Sequence, residues 1–215
     1  MNHLVVAAIL AAMAGLGGPA RDDIRSRTDG RSGSAGPALV THNPAIQASL
    51  DRLWRASPSW RAALDAVSLT GRRAVLLTPE QVVVRDSADS GDSSPFDSGV
   101  LGEVSPVVNS GGAVDVVLVV INLPLIEAAH DDRGSLPAEL HDDLDGVIAH
   151  EVFGHAVPYL LAGSVAGRCA DPQAGQRAVD ACAIQRENVV RRELGLSRRT
   201  DAGINGLMLA FRGRR

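Results

Sequence analysis

The chain contains no lysine: all 21 of the basic residues among its 215 are arginine, a composition that hints at a GC-rich bacterial genome. Set against 25 acidic residues they leave a formal net charge of −4, and no basic block is dense enough to argue for nucleic-acid binding. Aromatic residues make up only 3% of the chain while apolar residues make up 45%, so a core has to be built from Val, Leu, Ala and Ile. The longest apolar run, Leu4 to Leu16, is too short for a comfortable membrane span. Two cysteines, Cys169 and Cys182, lack the close C-x-x-C spacing of a metal-binding pair. These scarcities argue against a nucleic-acid binder and a cysteine-cluster metal domain, and leave the N-terminal run, as a signal peptide, an uncleaved anchor or the product of a misassigned start codon, as the one segment with a bearing on membranes.

The apolar run at the N-terminus has a second meaning. It is followed by Gly17-Gly18-Pro19-Ala20 and then by the charged Arg21-Asp22-Asp23. Small residues after an apolar stretch mark a secretory signal peptide, here residues 1–20 with cleavage near Ala20. The mature protein is therefore expected to be bacterial and exported, secreted or periplasmic. In that compartment Cys169 and Cys182 are expected to form a disulfide. Closing a loop of that size stabilises a fold by about 3 kcal/mol.

Residues 21–43 are rich in Gly, Ser, Asp and Arg and read as a disordered linker. Residues 44–215 then form one domain with a tail. Ile46, Leu50, Leu53 and Trp54 recur at helical spacing, and a second short helix is expected over Trp60 to Val67. The period then changes. Ala74–Leu77 and Gln81–Val84 flank Thr78-Pro79-Glu80 and read as a β-hairpin. Asp86 to Ser98 is a polar loop, and Val100 to Val108 is a further strand. Ala113–Asn122 is the strongest strand candidate, a β-branched run between Gly111-Gly112 and Asn122-Leu123-Pro124. Helical patterning returns with Leu140, Leu144, Val147, Ile148 and Val152, and this helix is expected to end near Gly163. A last helix runs from about Asp180 to Leu194, with Gly195 as its cap. The order gives an α+β fold: a small antiparallel or mixed sheet, a site helix and a ligand helix, similar to the core of zincin peptidases.

The chemistry concentrates in His150-Glu151-Val152-Phe153-Gly154-His155, an H-E-x-x-G-H block. Two imidazoles can hold a zinc ion, and a carboxylate beside the first can act on a metal-activated water. The common zinc-peptidase block has its histidines at i and i+4; here they stand at i and i+5. In a regular α-helix those positions point about 140° apart. A π-like turn, with i→i+5 bonding, brings them onto one face. Gly154 tolerates unusual backbone angles, and Pro158 lacks the N–H that the carbonyl of Gly154 would normally accept. Glu187 lies on the apolar stripe of its helix with Ala183, Ile184, Val190 and Leu194. A bare carboxylate there costs several kcal/mol unless a cation meets it. That makes Glu187 the third-ligand candidate; a salt bridge to Arg191 is the plainer explanation. Glu193 is the runner-up ligand.

The block resembles the H-E-x-x-G-H motif of the dipeptidyl-peptidase III family of metallopeptidases. The resemblance covers six residues of the 215. The family's second motif, E-E-C-R-A-E, finds only a poor match in Arg186–Glu193. The resemblance implies that His150 and His155 are zinc ligands, Glu151 the general base, and a downstream Glu the third ligand.

Three further features are placed with their plainer alternatives. His141, Asp142, Asp143 and Asp145 form a polar cluster that could orient a zinc-bound His, or simply solvate a helix start. Tyr159 could hydrogen-bond a tetrahedral intermediate, or belong to the core. Arg198-Arg199 could bind a substrate carboxylate, or be a solvated turn. The expectation is a zinc-dependent metallopeptidase of gluzincin type with a peptide or protein substrate: Zn2+ on His150, His155 and Glu187, and Glu151 as base. The competing expectation is a non-catalytic metal-binding or degenerate peptidase fold that binds a partner.

Overall fold

The structure, a computed structural model, describes residues 38–82, 100–132, 137–167 and 176–200. The expected signal peptide, linker residues 21–37, the polar loop over 86–98, Cys169 and the tail from 201 lie outside the described residues.

The chain enters at β1 (Leu39–Val40), inside the segment expected to be linker. Residues 38–43 are not linker: Ala38 and Leu39 are buried, and β1 pairs in parallel with the next strand. Asn43 caps α1 (Pro44–Ala56), its Oδ1 accepting from the amides of Ala45 and Ile46. Ser57 ends that helix and caps the next, α2 (Pro58–Thr70), accepting from Trp60 N at 3.1 Å. Proline at the start of each helix fixes φ where no amide partner is needed. Gly71, at φ 72°, turns the chain into β2 (Arg73–Leu77).

No hairpin turn follows β2, and Val83 and Val84 of the expected second strand lie outside the described residues. Pro79–Gln81 is a 3-10 turn, closed by the amide of Thr78 donating to Gln81 Oε1 at 2.9 Å. β2 instead pairs in parallel with β1 and with β4. The antiparallel pair is β3 (Gly102–Val108) with β4 (Val114–Ile121). Their connection is built on Asn109, whose Oδ1 accepts from Gly111 N and Ala113 N, with Gly112 at φ 81°. The sheet order is β1-β2-β4-β3, mixed, with β3 outermost and antiparallel. β4 is central, and Val117 to Ile121 are all buried. That explains an unbroken apolar run where a half-exposed strand would alternate.

Asn122 ends β4 and starts α3 (Leu123–Asp132), a helix absent from the sequence expectation. A long helical rod follows: α4 (Pro137–Ile148), a π-helix (Ala149–Ala156) and α5 (Val157–Ala162), ended by Gly163 at φ 65°. The last helix is α6 (Gln176–Glu193), with Gly195 at φ 76° beyond its end as expected. The architecture is α+β in one domain, and among the described residues no helix is long and apolar enough to cross a membrane.

Candidate functional site

The π-helix holds the whole H-E-x-x-G-H block. The i→i+5 winding that the histidine spacing requires is the winding observed. Gly154 contributes differently from the expectation. Its φ is not positive, so backbone freedom is not its role. A Cβ built there would lie 2.9 Å from Ala183 Cβ and 3.1 Å from Ala183 O on α6. The glycine lets two helices touch backbone to backbone. On the other flank Phe153 stacks on Trp60 of α2, with ring centroids 6.4 Å apart.

With α6 drawn this close, its inward face meets the histidines. His150 and His155 lie edge to face, and their Nε2 atoms approach to 3.2 Å. Glu187, fully buried, meets His150 from behind: its Oε2 lies 3.0 Å from Nδ1, the ring edge away from His155. The same carboxylate accepts from Arg191 at 3.2 Å through Oε1 and from Arg199 at 3.1 Å through Oε2. The predicted residues are thus brought together, with Glu187 against Nδ1 and two guanidiniums rather than beside the paired Nε2 atoms. The expected ion pair to Arg191 is present as well.

The Glu151 side chain lies against the start of β3, at the sheet edge. A Cβ on Gly102 would fall 2.5 Å from Glu151 Cγ and 2.8 Å from its Oε1, so the glycine at the start of β3 leaves the space the carboxyl fills. Burial pushes the Glu151 carboxyl up to about 7, with Glu187 and Asp180 adding to the rise and His150 and Arg199 opposing it. Burial pushes His155 down to about 4, helped by His150 and opposed by Asp180 and Glu187. At neutral pH the site therefore offers a neutral His155 and, against the start of β3, a carboxyl poised near its ionisation midpoint.

The geometry suits a cation at two positions. Two tetrahedral ligands with bonds of about 2.0–2.1 Å have nitrogens about 3.3 Å apart. The observed 3.2 Å fits that spacing, and it equally fits one N–H···N hydrogen bond. Among the described residues, no group of three or more His, Cys, Asp and Glu side chains converges as a complete set of metal ligands.

The other candidates lie elsewhere. Asp145 accepts from Ser49 and from Arg52, at 3.0 Å from its Nε, joining α4 to α1. Asp143 meets His130 of α3 at 3.3 Å. Neither orients a site histidine; that position is taken by Glu187. His141 and Asp142 lie where only the backbone is described. Tyr159 belongs to the apolar core. Glu193, the runner-up ligand, accepts from Ser57 Oγ and, at 2.7 Å, from Ser59 Oγ at the start of α2. Cys182 is on α6 and is not a free thiol.

Gly102 and Asp180 carry no sequence signal for this site, and Arg199, expected to bind a substrate carboxylate or to form a solvated turn, holds Glu187 instead. Gly102 could be found only from the strand it starts. Asp180 lies about two turns before Glu187 on α6, with Ala183 between them against Gly154. Arg199 is fixed by Asn188, whose side chain accepts from its amide at 2.7 Å and donates to its carbonyl at 2.8 Å. That loop closure has no periodic signal. Comparison with protein-family models, curated proteins and solved structures finds no match to this chain.

Proposed function

We propose that the protein is a zinc-dependent peptide hydrolase of zincin-like architecture, with His150 and His155 holding the ion and Glu151 as general base. The observation that carries the reading is the meeting of the two Nε2 atoms at 3.2 Å across a π turn whose Glu151 carboxyl is buried and pushed up to about 7. When bound, zinc supplies Lewis acidity that polarises a carbonyl and acidifies a water.

The chain's own groups do the rest. Glu151, once ionised, accepts the proton of the attacking water and returns it to the leaving nitrogen. Gly102 lets that carboxyl lie against the end of β3. Among the described residues β3 pairs with β4 alone, so its outer edge can take an extended peptide by strand addition. The carboxyl that moves the proton and the edge that would hold the peptide therefore meet at one residue. Glu187, the third ligand expected from the sequence, would have to release His150 Nδ1 and its guanidiniums to reach an ion at the two Nε2 atoms.

The engagement of Glu187 by three partners also favours a second reading. In it the same residues form a non-catalytic polar core that fixes α6 on the π-helix, and the fold binds a partner. Metal analysis of the purified chain, with cleavage of a proteome-derived peptide library, separates the two. The hydrolase reading expects about one zinc per chain. It also expects cleavage that falls by about two or more orders of magnitude in Glu151→Gln, the scale of a lost general base, with zinc content kept. Wild type that holds no zinc and cleaves nothing rejects it.

A further inference from the structure

Glu187 is fully buried, yet it takes no part in the proton transfers assigned to Glu151. A carboxylate has about four lone-pair positions, and three are occupied here. Two of the three partners are guanidiniums, whose positive charges offset the burial of the carboxylate and reduce its attraction to a further cation. Drawing it out to a metal would leave Arg191 and Arg199 without that partner. Both oxygens already accept from guanidinium N–H groups, so Oε2 meets His150 Nδ1 as an acceptor and Nδ1 carries the proton. The lone pair of His150 is then on Nε2, the nitrogen that faces His155.

The clamp on Glu187 is assembled by the chain beyond α6. Gly195 turns that segment back, and Leu196 N donates to Arg191 O at 2.8 Å. Arg191 spans the two parts, its Nη1 on Glu187 and its Nε on Ser197 O at 2.6 Å. Asn188 then brackets the backbone of Arg199, directing its guanidinium back onto Glu187.

We propose that Glu187 is a positioning residue and not a metal ligand: held by Arg191 and by Arg199 of the returning segment, it fixes His150 in the Nδ1–H tautomer with its lone pair on Nε2, facing His155. The assignment of a use to that lone pair rests on the hydrolase reading; the tautomer itself does not. The test is long-range 1H–15N correlation of histidine-labelled, metal-free full chain at pH 8. His150 is expected to show a protonated Nδ1 and a lone-pair Nε2, whereas Nε2–H is the form neutral imidazole usually prefers in water. Glu187→Gln keeps an acceptor and should keep this tautomer; Glu187→Leu should lose it. In parallel, Co2+ bound to Glu187→Gln should give the wild-type ligand-field spectrum, with affinity about 10–100-fold weaker, the usual effect of losing a partner behind a ligand. An Nε2–H tautomer in wild type, or a changed Co2+ spectrum in Glu187→Gln, overturns the proposal. A wild type with the Nδ1–H tautomer that binds neither Zn2+ nor Co2+ upholds the positioning role and rejects the hydrolase reading instead.

Discussion

Gly154→Ala tests how the site is held together. The added methyl would stand 2.9 Å from Ala183 Cβ and 3.1 Å from both Ala183 Cα and O, inside ordinary van der Waals contact. Two of those three atoms are backbone, so no rotamer change relieves them and α6 must move away from the π-helix. Overpacking of this kind costs about 1–3 kcal/mol. Replacing glycine within a helix returns up to about 1 kcal/mol of propensity. The net expected loss is about 1–2 kcal/mol, or a fall in Tm of roughly 2–8 °C for a chain of this size. Urea and thermal unfolding of the metal-free protein measure it. Adding Ala183→Gly removes the Cβ contact and leaves the carbonyl contact, so the double variant should recover only part of the loss. A Gly154→Ala variant as stable as wild type would refute the argument that glycine sets the spacing of these helices.

Glu151 carries a stability cost that depends on pH. Its folded pKa of about 7 lies above the ordinary 4.5, so the folded protein binds more protons between those values and its stability falls as pH rises through that window. Metal-free Glu151→Gln should therefore gain on wild type from pH 5 to pH 8, by up to on the order of 3 kcal/mol; a difference that does not change with pH refutes it. Glu193 has the opposite sign. Burial raises its carboxyl, but hydrogen bonds from Ser57 and Ser59, with Arg192 nearby, outweigh that and hold it below 4.5. Its contribution is present above 4.5 and lost as pH falls through the folded pKa. Acid unfolding of Glu193→Gln should accordingly be less steep below pH 4.5 than that of wild type, and an unchanged acid limb counts against the cap. Finally, thiol titration of unfolded, non-reduced protein should find no free thiol if Cys169 and Cys182 are bonded; two titratable thiols reject the pairing.

Local pattern carried much of this architecture. Helices α1 and α6 and strand β4 follow from apolar spacing and from Pro, Ser, Asn and Gly at their ends. The π-helix follows from a conflict: two histidines that share a site at a spacing no regular α-helix permits. Strand partners were not legible. Thr78-Pro79-Glu80 looks like a hairpin turn, but β2 finds parallel neighbours far along the chain, and only tertiary packing chooses between them. α3 has no distinct signal in the sequence: Asn122-Leu123-Pro124 marks a strand stop, and Asn before Leu-Pro also begins a helix. At the site, residue types were legible and their orientation was not. A sequence shows that Glu187 faces inward; it does not show which edge of an imidazole the carboxylate meets. Arg199 reaches the same carboxylate only because the chain folds back after Gly195.

The π-helix also sets the rotational phase of everything after it. The rod from Pro137 to Ala162 behaves as a screw whose pitch is altered once, within the block that carries the histidines. One extra residue shifts the later thread by about 100° relative to an unbroken α-helix. Val157, Tyr159 and Leu160 reach the core only with that shift included. Deleting a residue such as Phe153 to give the shorter, commoner histidine spacing would therefore not simply tidy the motif. Either the π winding would persist with the histidines out of alignment, or it would revert and turn the α5 face of the core toward solvent. The unusual spacing is thus written into the hydrophobic interior as well as the site, and the two can change only together.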